Sequence, residues 1–334
     1  MNSSAQEHIN QLICGYWKSQ CLYVAAKLGI ADLLANGPLS VGQLAERTGM
    51  HAPSLYRVLR ALASLGVFSE ERAKRFRLTP AAEILRSDVS GSKRALAIMM
   101  GEEYFRAWGE LLYSVRTGTP AFDKVFGQPL FDFLAQHPEQ AEIFDRAMVG
   151  AHGREAADLL DAHDFSVYSS VADIGGGNGS TLCAILERHT NLQGTLFDLP
   201  GVVKRARAKV EHAGLSRRMH LVEGDFFQTA PVGADAYLLR HIIHDWNDEQ
   251  ATRILHNIRK AIKRRGRLLI VETVIRPDNE PCFGKLLDLT MLVAPGGKER
   301  TEEEYGTLLA RTGYRLERIV PTLAEDSVIE GVPE

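Results

Sequence analysis

From Val171 onward, short apolar runs alternate with stretches of helical periodicity, and this alternation restricts the fold more than any other feature of the chain. The runs are Val171-Ala-Asp-Ile174, Gly194-Thr-Leu-Phe-Asp198, His220-Leu-Val-Glu223, Ala236-Tyr-Leu-Leu239 and Arg267-Leu-Leu-Ile-Val-Glu272. Strands separated by helices pair in parallel, because a parallel neighbour needs a long crossover connection. The expected architecture is therefore α/β, a Rossmann-like, doubly wound sheet. Such sheets bind ligands in the crevice outside the carboxyl ends of their strands, so the residues that end each run are the first site candidates.

The first run ends in Asp173-Ile-Gly175-Gly176-Gly177-Asn178-Gly179-Ser180. Glycines let a backbone turn sharply and approach a ligand that a Cβ would push away, which implies a nucleotide-type cofactor. The dinucleotide fingerprint G-x-G-x-x-G would require glycine at position 180, where Ser180 stands. At the end of the second run, in Phe197-Asp198-Leu199-Pro200, Asp198 can accept hydrogen bonds from both ribose hydroxyls. NAD enzymes use the same device, so a dehydrogenase remains an alternative at this point. The third run leads into Gly224-Asp225-Phe226-Phe227, a carboxylate for an exocyclic amine and a ring to cover an adenine face. Together the three loops describe an adenosine site.

The N-terminal region reads differently. Helical spacing runs from Ile9 through Val24 and on past Ala31 to a stop at Gly37-Pro38. Ser40 and Gln43 form a capping box for a short helix ending at Gly49. A second helix, from about Ala52-Pro53 to Gly66, puts Leu55, Val58, Leu59, Leu62 and Leu65 inward. Val67-Phe-Ser-Glu70 then pairs with Arg75-Phe-Arg-Leu78, which makes the segment a winged helix-turn-helix. Residues 1–100 carry 12 Lys/Arg against 7 Asp/Glu, so charge alone leaves DNA binding, and hence a ligand-sensing regulator, open. The would-be recognition helix offers only Arg57 and Arg60, however, and Tyr16, Trp17 and Tyr23 suit a partner subunit better.

A net charge of −3 gives no sign of a polyanion partner. The polar residues among the first twenty leave neither a signal core nor a membrane span. A cytoplasmic protein with no nucleic-acid or membrane partner is expected. Cys14, Cys21, Cys183 and Cys282 are scattered, without ligand spacing, and read as small apolar side chains in place of a metal site. Between Ser92 and Asp164 the chain is helical and aromatic, a connector expected to line a pocket for a flat acceptor. Domain limits of 1–100 and 101–334 follow.

Taken together, Val171-Ala-Asp-Ile-Gly-Gly-Gly-Asn-Gly179, Phe197-Asp-Leu-Pro200, Gly224-Asp-Phe-Phe227, His244-Asp245-Trp246 and Pro295-Gly-Gly-Lys-Glu-Arg-Thr301 resemble the caffeic-acid-type or acetylserotonin-type O-methyltransferases. The resemblance spans the chain. It implies a metal-independent enzyme that uses S-adenosylmethionine, with an N-terminal domain that makes a homodimer and does not read DNA. It further implies that Asp173, Gly175, Gly177, Asp198, Leu199, Asp225, Phe226 and Arg240 contact the cofactor, with Met148 near it. Arg240 stands where plant members commonly carry lysine, a change that keeps the charge and alters donor geometry. Some relatives have drifted to non-methylating chemistry, which is the nearest enzymatic alternative.

The fourth run leads through Arg240 and His241 to His244, which is expected at the strand's carboxyl end, facing the crevice. An imidazole of ordinary pKa, about 6.5, can remove a phenolic proton, of pKa about 10, in concert with attack on a sulfonium methyl. That points to a phenol or enol acceptor on an aromatic small molecule. The base needs a carboxylate to hold its tautomer. Asp245 is adjacent, but successive side chains on extended backbone diverge. The expected partners are Glu272 and Glu299, which match the partners of the base in the family. Asp288 is a weaker candidate for a helper to the base, and Asp288, Met291, Leu292 and Phe131 are candidates for the acceptor pocket.

Overall fold

The computed structural model describes residues 3–152, 155–277 and 279–334. The chain divides into two compact units, Met1–Arg106 with Leu134–Gly153, and Ala107–Phe133 with Arg154–Glu334. The single boundary expected after residue 100 is thus three crossings. The reason is a close helix pairing: a Cβ on Gly150 would lie 2.2 Å from the Ser92 carbonyl oxygen, so glycine lets the helix Pro138–His152 return against the segment ahead of Arg94–Gly101.

In the first unit the opening helical stretch breaks at Cys14 into Ser3–Ile13 and Gly15–Lys27, followed by Ile30–Leu33 beyond a left-handed Gly29. Ser40 and Gln43 form the reciprocal capping box of Val41–Thr48, and Gly49 closes that helix in the left-handed region. The helix Ala52–Ser64 buries Leu55, Leu59 and Leu62 against Ile30, Leu44, Phe68 and Phe76. Phe68–Glu71 and Arg75–Leu78 pair antiparallel, and Leu39–Ser40 adds a third strand, which completes the winged helix. Ile9, Leu12, Ile13, Tyr16 and Trp17 remain exposed on the opening helices.

The second unit is built on seven strands: β1 (Ser170–Ile174), β2 (Gln193–Asp198), β3 (Met219–Glu223), β4 (Ala236–Arg240), β5 (Arg267–Ile275), β6 (Tyr314–Pro321) and β7 (Asp326–Pro333). Their order is 3-2-1-4-5-7-6, parallel except for β7, which is antiparallel to both neighbours, while Arg300–Thr301 pairs beside the end of β5. All five expected runs are strands; the C-terminal hairpin of β6 and β7 was not among them. Consecutive residues along the central strands enter opposite cores. Leu196, Leu238 and Leu269 join one, and Phe197, Leu239 and Ile270 the other, as a sheet covered on both faces requires. Connecting helices include α1 (Ser180–Arg188), α2 (Pro200–His212), α3 (Asp248–Ala261), α4 (Gly284–Val293) and α5 (Glu302–Arg311). The strand order reverses between β1 and β4, which places the crevice at their carboxyl ends. No helix among the described residues is long and apolar enough to cross a membrane.

Candidate active site

After β1, Gly175, Gly177 and Gly179 adopt φ of 70°, 58° and 76°, left-handed conformations that glycine takes without strain. A Cβ at Gly175 would lie 2.5 Å from Ile242 Cδ1, and one at Gly176 2.5 Å from Asp173 Oδ2. Asp198, ending β2, braces this loop: Oδ2 accepts the Gly177 N–H at 2.9 Å and Oδ1 the Leu199 N–H at 2.7 Å. Leu199 itself is exposed. Asp225 Oδ1 accepts the Phe227 N–H at 2.8 Å. Phe226 meets Phe227 and Trp246 edge-on, with ring centres 4.9 and 6.0 Å apart.

Asp173 is fully buried beneath the loop, and its Oδ2 has no hydrogen-bond partner among the described residues. Burial raises its pKa to about 7, with Arg240 opposing the rise and Asp198 adding to it. Arg240 ends β4 and donates from Nη1 to Thr181 Oγ1, 2.8 Å away at the start of α1. A buried carboxyl short of donors, a guanidinium and a glycine cradle lie together beside a strand-end acid. That donor set fits S-adenosylmethionine, whose amino-acid end carries both charges and whose ribose offers a diol.

The second loop runs from Arg240 through His241 into the 3-10 turn Ile243–Asp245, and Asn247 then caps α3 by accepting the Gln250 N–H. Side chains hold it on several sides. Glu272 Oε1 accepts the N–H groups of Ile242 and His244 at 3.1 and 3.0 Å, while Oε2 accepts from the buried Tyr305 hydroxyl. Arg300, wholly buried, donates to the carbonyls of Ile243 and Trp246 at 3.2 and 3.0 Å and to Asp248. The Lys298 N–H donates to the His244 carbonyl at 2.9 Å. There the backbones approach so closely that a Cβ on Gly297 would lie 1.9 Å from that oxygen.

Within this frame His244 Nδ1 lies 2.7 Å from Glu299 Oε1, and Nε2 lies 3.6 Å from Asp245 Oδ1. Glu299 is itself fixed, its N–H donating to Asp288 Oδ1 at 2.9 Å. Burial opposes charge on His244, but the carboxylates of Glu299, Asp245 and Glu272 outweigh it and raise the imidazole to about 10. Burial raises Asp245 to about 6, with His244 holding it back. His244 is therefore a stronger base than an ordinary imidazole, and its Nδ1–H···Glu299 contact leaves Nε2 as the nitrogen that can exchange a proton.

Three expectations need correction. Glu272 does not pair with the imidazole; its oxygens are taken by backbone N–H groups and Tyr305, so it anchors the loop and not the ring. Asp245 is nearer the imidazole than expected, because a 3-10 turn does not spread successive side chains as extended backbone does. Asp288 accepts the Glu299 N–H, so it acts on the partner of the imidazole, in line with a helper and beyond a pocket-lining role. Phe131 stacks on Trp246 with centres 5.4 Å apart, and Met291 and Leu292 lie on α4, Met291 buried. Met148 is half-buried on the helix Pro138–His152 of the first unit. Of the cysteines only Cys183 is buried. The sequence reading gave no role to Tyr305, Arg300 or Trp246. Trp246 gathers Phe131, Phe226 and Phe227 around it, and its Nε1 has no hydrogen-bond partner among the described residues.

Residues 108–315 match the O-methyltransferase domain family and residues 10–88 the O-methyltransferase dimerisation domain. The chain is 47% identical to a phenazine O-methyltransferase of Lysobacter antibioticus, covering 97% of this chain and 95% of that protein. It is 40% identical to an 8-amino-8-demethylriboflavin N,N-dimethyltransferase of Streptomyces davaonensis, over 92% and 90% of the two chains. Human N-acetylserotonin methyltransferase, solved in complex with S-adenosylmethionine, superposes with a TM-score of 0.91 at 30% identity, over 100% of this chain and 99% of that one.

Proposed function

Since the chain belongs to the O-methyltransferase family and is an S-adenosylmethionine-dependent methyltransferase, we propose that it methylates a phenolic or enolic hydroxyl of a flat aromatic small molecule, without a metal, using His244 as general base. The observation that carries this reading is the buried His244–Glu299 pair, with Nδ1 held at 2.7 Å and Nε2 left for the acceptor. S-adenosylmethionine, when bound, supplies a methyl carbon already activated by the sulfonium.

The chain's own work is to align the acceptor, exclude water and move one proton. Asp173, the Gly175–Gly177 loop, Asp198, Leu199, Asp225, Phe226 and Arg240 hold the cofactor. Phe131, Trp246, Met291 and Leu292 cover the acceptor ring. A phenol, of pKa about 10, meets an imidazole of similar basicity, so the proton passes to Nε2 with little driving force needed. Glu299 then stabilises the imidazolium.

The test is His244→Ala. Methyl transfer should fall by about 10²–10⁴-fold, while S-adenosylhomocysteine still raises the melting temperature. Full activity in this variant would overturn the base assignment. The N,N-dimethyltransferase relative favours a second reading, an amine acceptor. An amine attacks through its own lone pair and needs no base beforehand, so its methylation should survive His244→Ala, and product mass spectrometry separates the two. The apolar residues Ile9, Leu12, Ile13, Tyr16 and Trp17, exposed in a segment that matches a dimerisation domain, further support a homodimer through the N-terminal unit.

A further inference from the structure

Outside the wing of the first unit, His241 is the one non-glycine residue with positive φ among the described residues, at 53°. A residue with a Cβ is strained there, and such strain persists where the surroundings over-determine it. His241 Nε2 lies 3.0 Å from Asp326 Oδ2, with both side chains largely buried. Asp326 opens β7 opposite Thr273, whose Oγ1 is 3.4 Å from Asp326 Oδ1. The His241 N–H donates to the Val271 carbonyl at 3.1 Å. The conformation of residue 241 sets the direction of the next peptide, whose N–H, on Ile242, is one of the two that Glu272 accepts. Three residues on stands His244, its ring centre 5.4 Å from that of His241.

We propose that His241 and Asp326 form a positioning pair: the contact with β7 keeps the left-handed turn that presents both N–H groups to Glu272 and thereby fixes the reach of His244 Nε2 toward the acceptor. This rests on His244 being the base. The pair touches neither reacting atom, so its loss should lower turnover without weakening cofactor binding.

The experiment compares four single variants and the His241→Gly/Asp326→Ala double variant. His241→Gly accepts the backbone conformation and loses the tether, Asp326→Ala removes the anchor, and His241→Asn tolerates the conformation and keeps a polar side chain toward Asp326. Asp326→Asn keeps an acceptor oxygen. His241→Gly and Asp326→Ala should each lower kcat by about 10- to 100-fold, as a displacement of about 1 Å does, with acceptor KM and the calorimetric affinity for S-adenosylhomocysteine nearly unchanged. The double variant should be no slower than the worse single one. His241→Asn should recover most of the loss, and Asp326→Asn part of it. If the Gly or Ala variant fails to fold, the two Asn variants decide: wild-type kcat in Asp326→Asn together with a full loss in His241→Asn would overturn the pairing. Wild-type kcat in His241→Gly, or a fall in kcat matched by an equal fall in S-adenosylhomocysteine affinity, would overturn positioning. An active His244→Ala removes the base and this inference together; an inactive His244→Ala beside an unaffected His241→Gly removes the inference alone.

Discussion

The glycine loop after β1 and the histidine loop after β4 leave neighbouring parallel strands at the same edge of the sheet, yet they are fixed by different means. The first is shaped by its own backbone, three left-handed glycines braced by one carboxylate, and it leaves one oxygen of a buried acid without a donor among the described residues. The second is shaped from outside, by Glu272, itself held by Tyr305, and by Lys298 and Arg300, acting on the loop's peptide groups. A loop that waits for a ligand can keep unsatisfied groups for that ligand to meet. In the histidine loop it is the backbone that is tied: peptide groups between Ile242 and Trp246 meet Glu272, Arg300 or the Lys298 N–H, and an atom without a partner among the described residues, such as Trp246 Nε1, belongs to a side chain.

The sharpest way to break this contrast is Glu299→Gln, which removes charge from the ring's partner and leaves the loop's anchors in place. Charge from Glu299 is the first of the influences that raise His244, so the variant's imidazole should titrate well below about 10. On the proposed mechanism the productive complex holds one proton shared between base and phenol. In the wild type kcat/KM should therefore climb with pH as His244 loses its proton, then fall as the free phenol ionises near pH 10. In Glu299→Gln the rising limb should move to lower pH and the falling limb, which belongs to the acceptor, should stay. Turnover at the optimum should drop by about 10²-fold, because the imidazolium loses its stabilising charge. An unmoved rising limb would show that Glu299 does not set the basicity of His244.

How much of this was legible in the sequence divides along the same line. The glycine loop is local: Asp173, the glycines and Asp198 sit in short motifs whose spacing dictates their geometry, and the strands that carry them are read from apolar runs. The histidine loop is not local. Glu272 stands at a strand end, which shows that it reaches the crevice but not whether its oxygens meet a ring or two peptide N–H groups. Tyr305 and Arg300 act on residues more than thirty positions away and carry no local signal of it. One signal was there to be used: Thr301-x-x-Glu304 is a capping box that fixes the start of α5, and with it Arg300 and Tyr305. The β6–β7 hairpin, with its Asp326, has the strand alternation in Tyr314-Arg-Leu-Glu-Arg-Ile-Val but lies past the point where the parallel pattern ends.

Asp173→Asn tests the other side of the contrast, that the glycine loop keeps an unsatisfied acid for its ligand. The acid's pKa is about 7 in the fold against an ordinary 3.8, so its charged form is disfavoured by folding. The sign follows from linkage: the destabilisation is fully present above about pH 7 and is relieved as pH falls from there toward 3.8. The amide has no such charge, so the ligand-free variant should melt higher than the wild type at pH 8, and the gap should narrow by more than half at pH 5. Affinity for S-adenosylhomocysteine should fall by about 10-fold, the size of one charge-assisted hydrogen bond. A variant that melts higher and binds equally well would mean that the acid does not serve the ligand.

The smallest effect is expected from Asn247→Ala. Asn247 Oδ1 caps α3 at the point where the histidine loop ends, accepting the Gln250 N–H at 3.0 Å. Loss of such a cap costs about 1 kcal/mol, and in a chain of this size it should lower the melting temperature by a few degrees. If the loop depended on the helix that follows it, the frayed first turn would slacken His244 and turnover would fall with stability. The Trp246 carbonyl and Asp248, on either side of Asn247, are both held by Arg300, and the His244 carbonyl is held by the Lys298 N–H. Those contacts do not pass through the cap. The expectation is thus a lower melting temperature with kcat unchanged within about twofold, measured well below the transition. A fall in kcat that tracks the lost stability would place part of the loop's rigidity in the helix, and the contrast between the two loops would narrow accordingly.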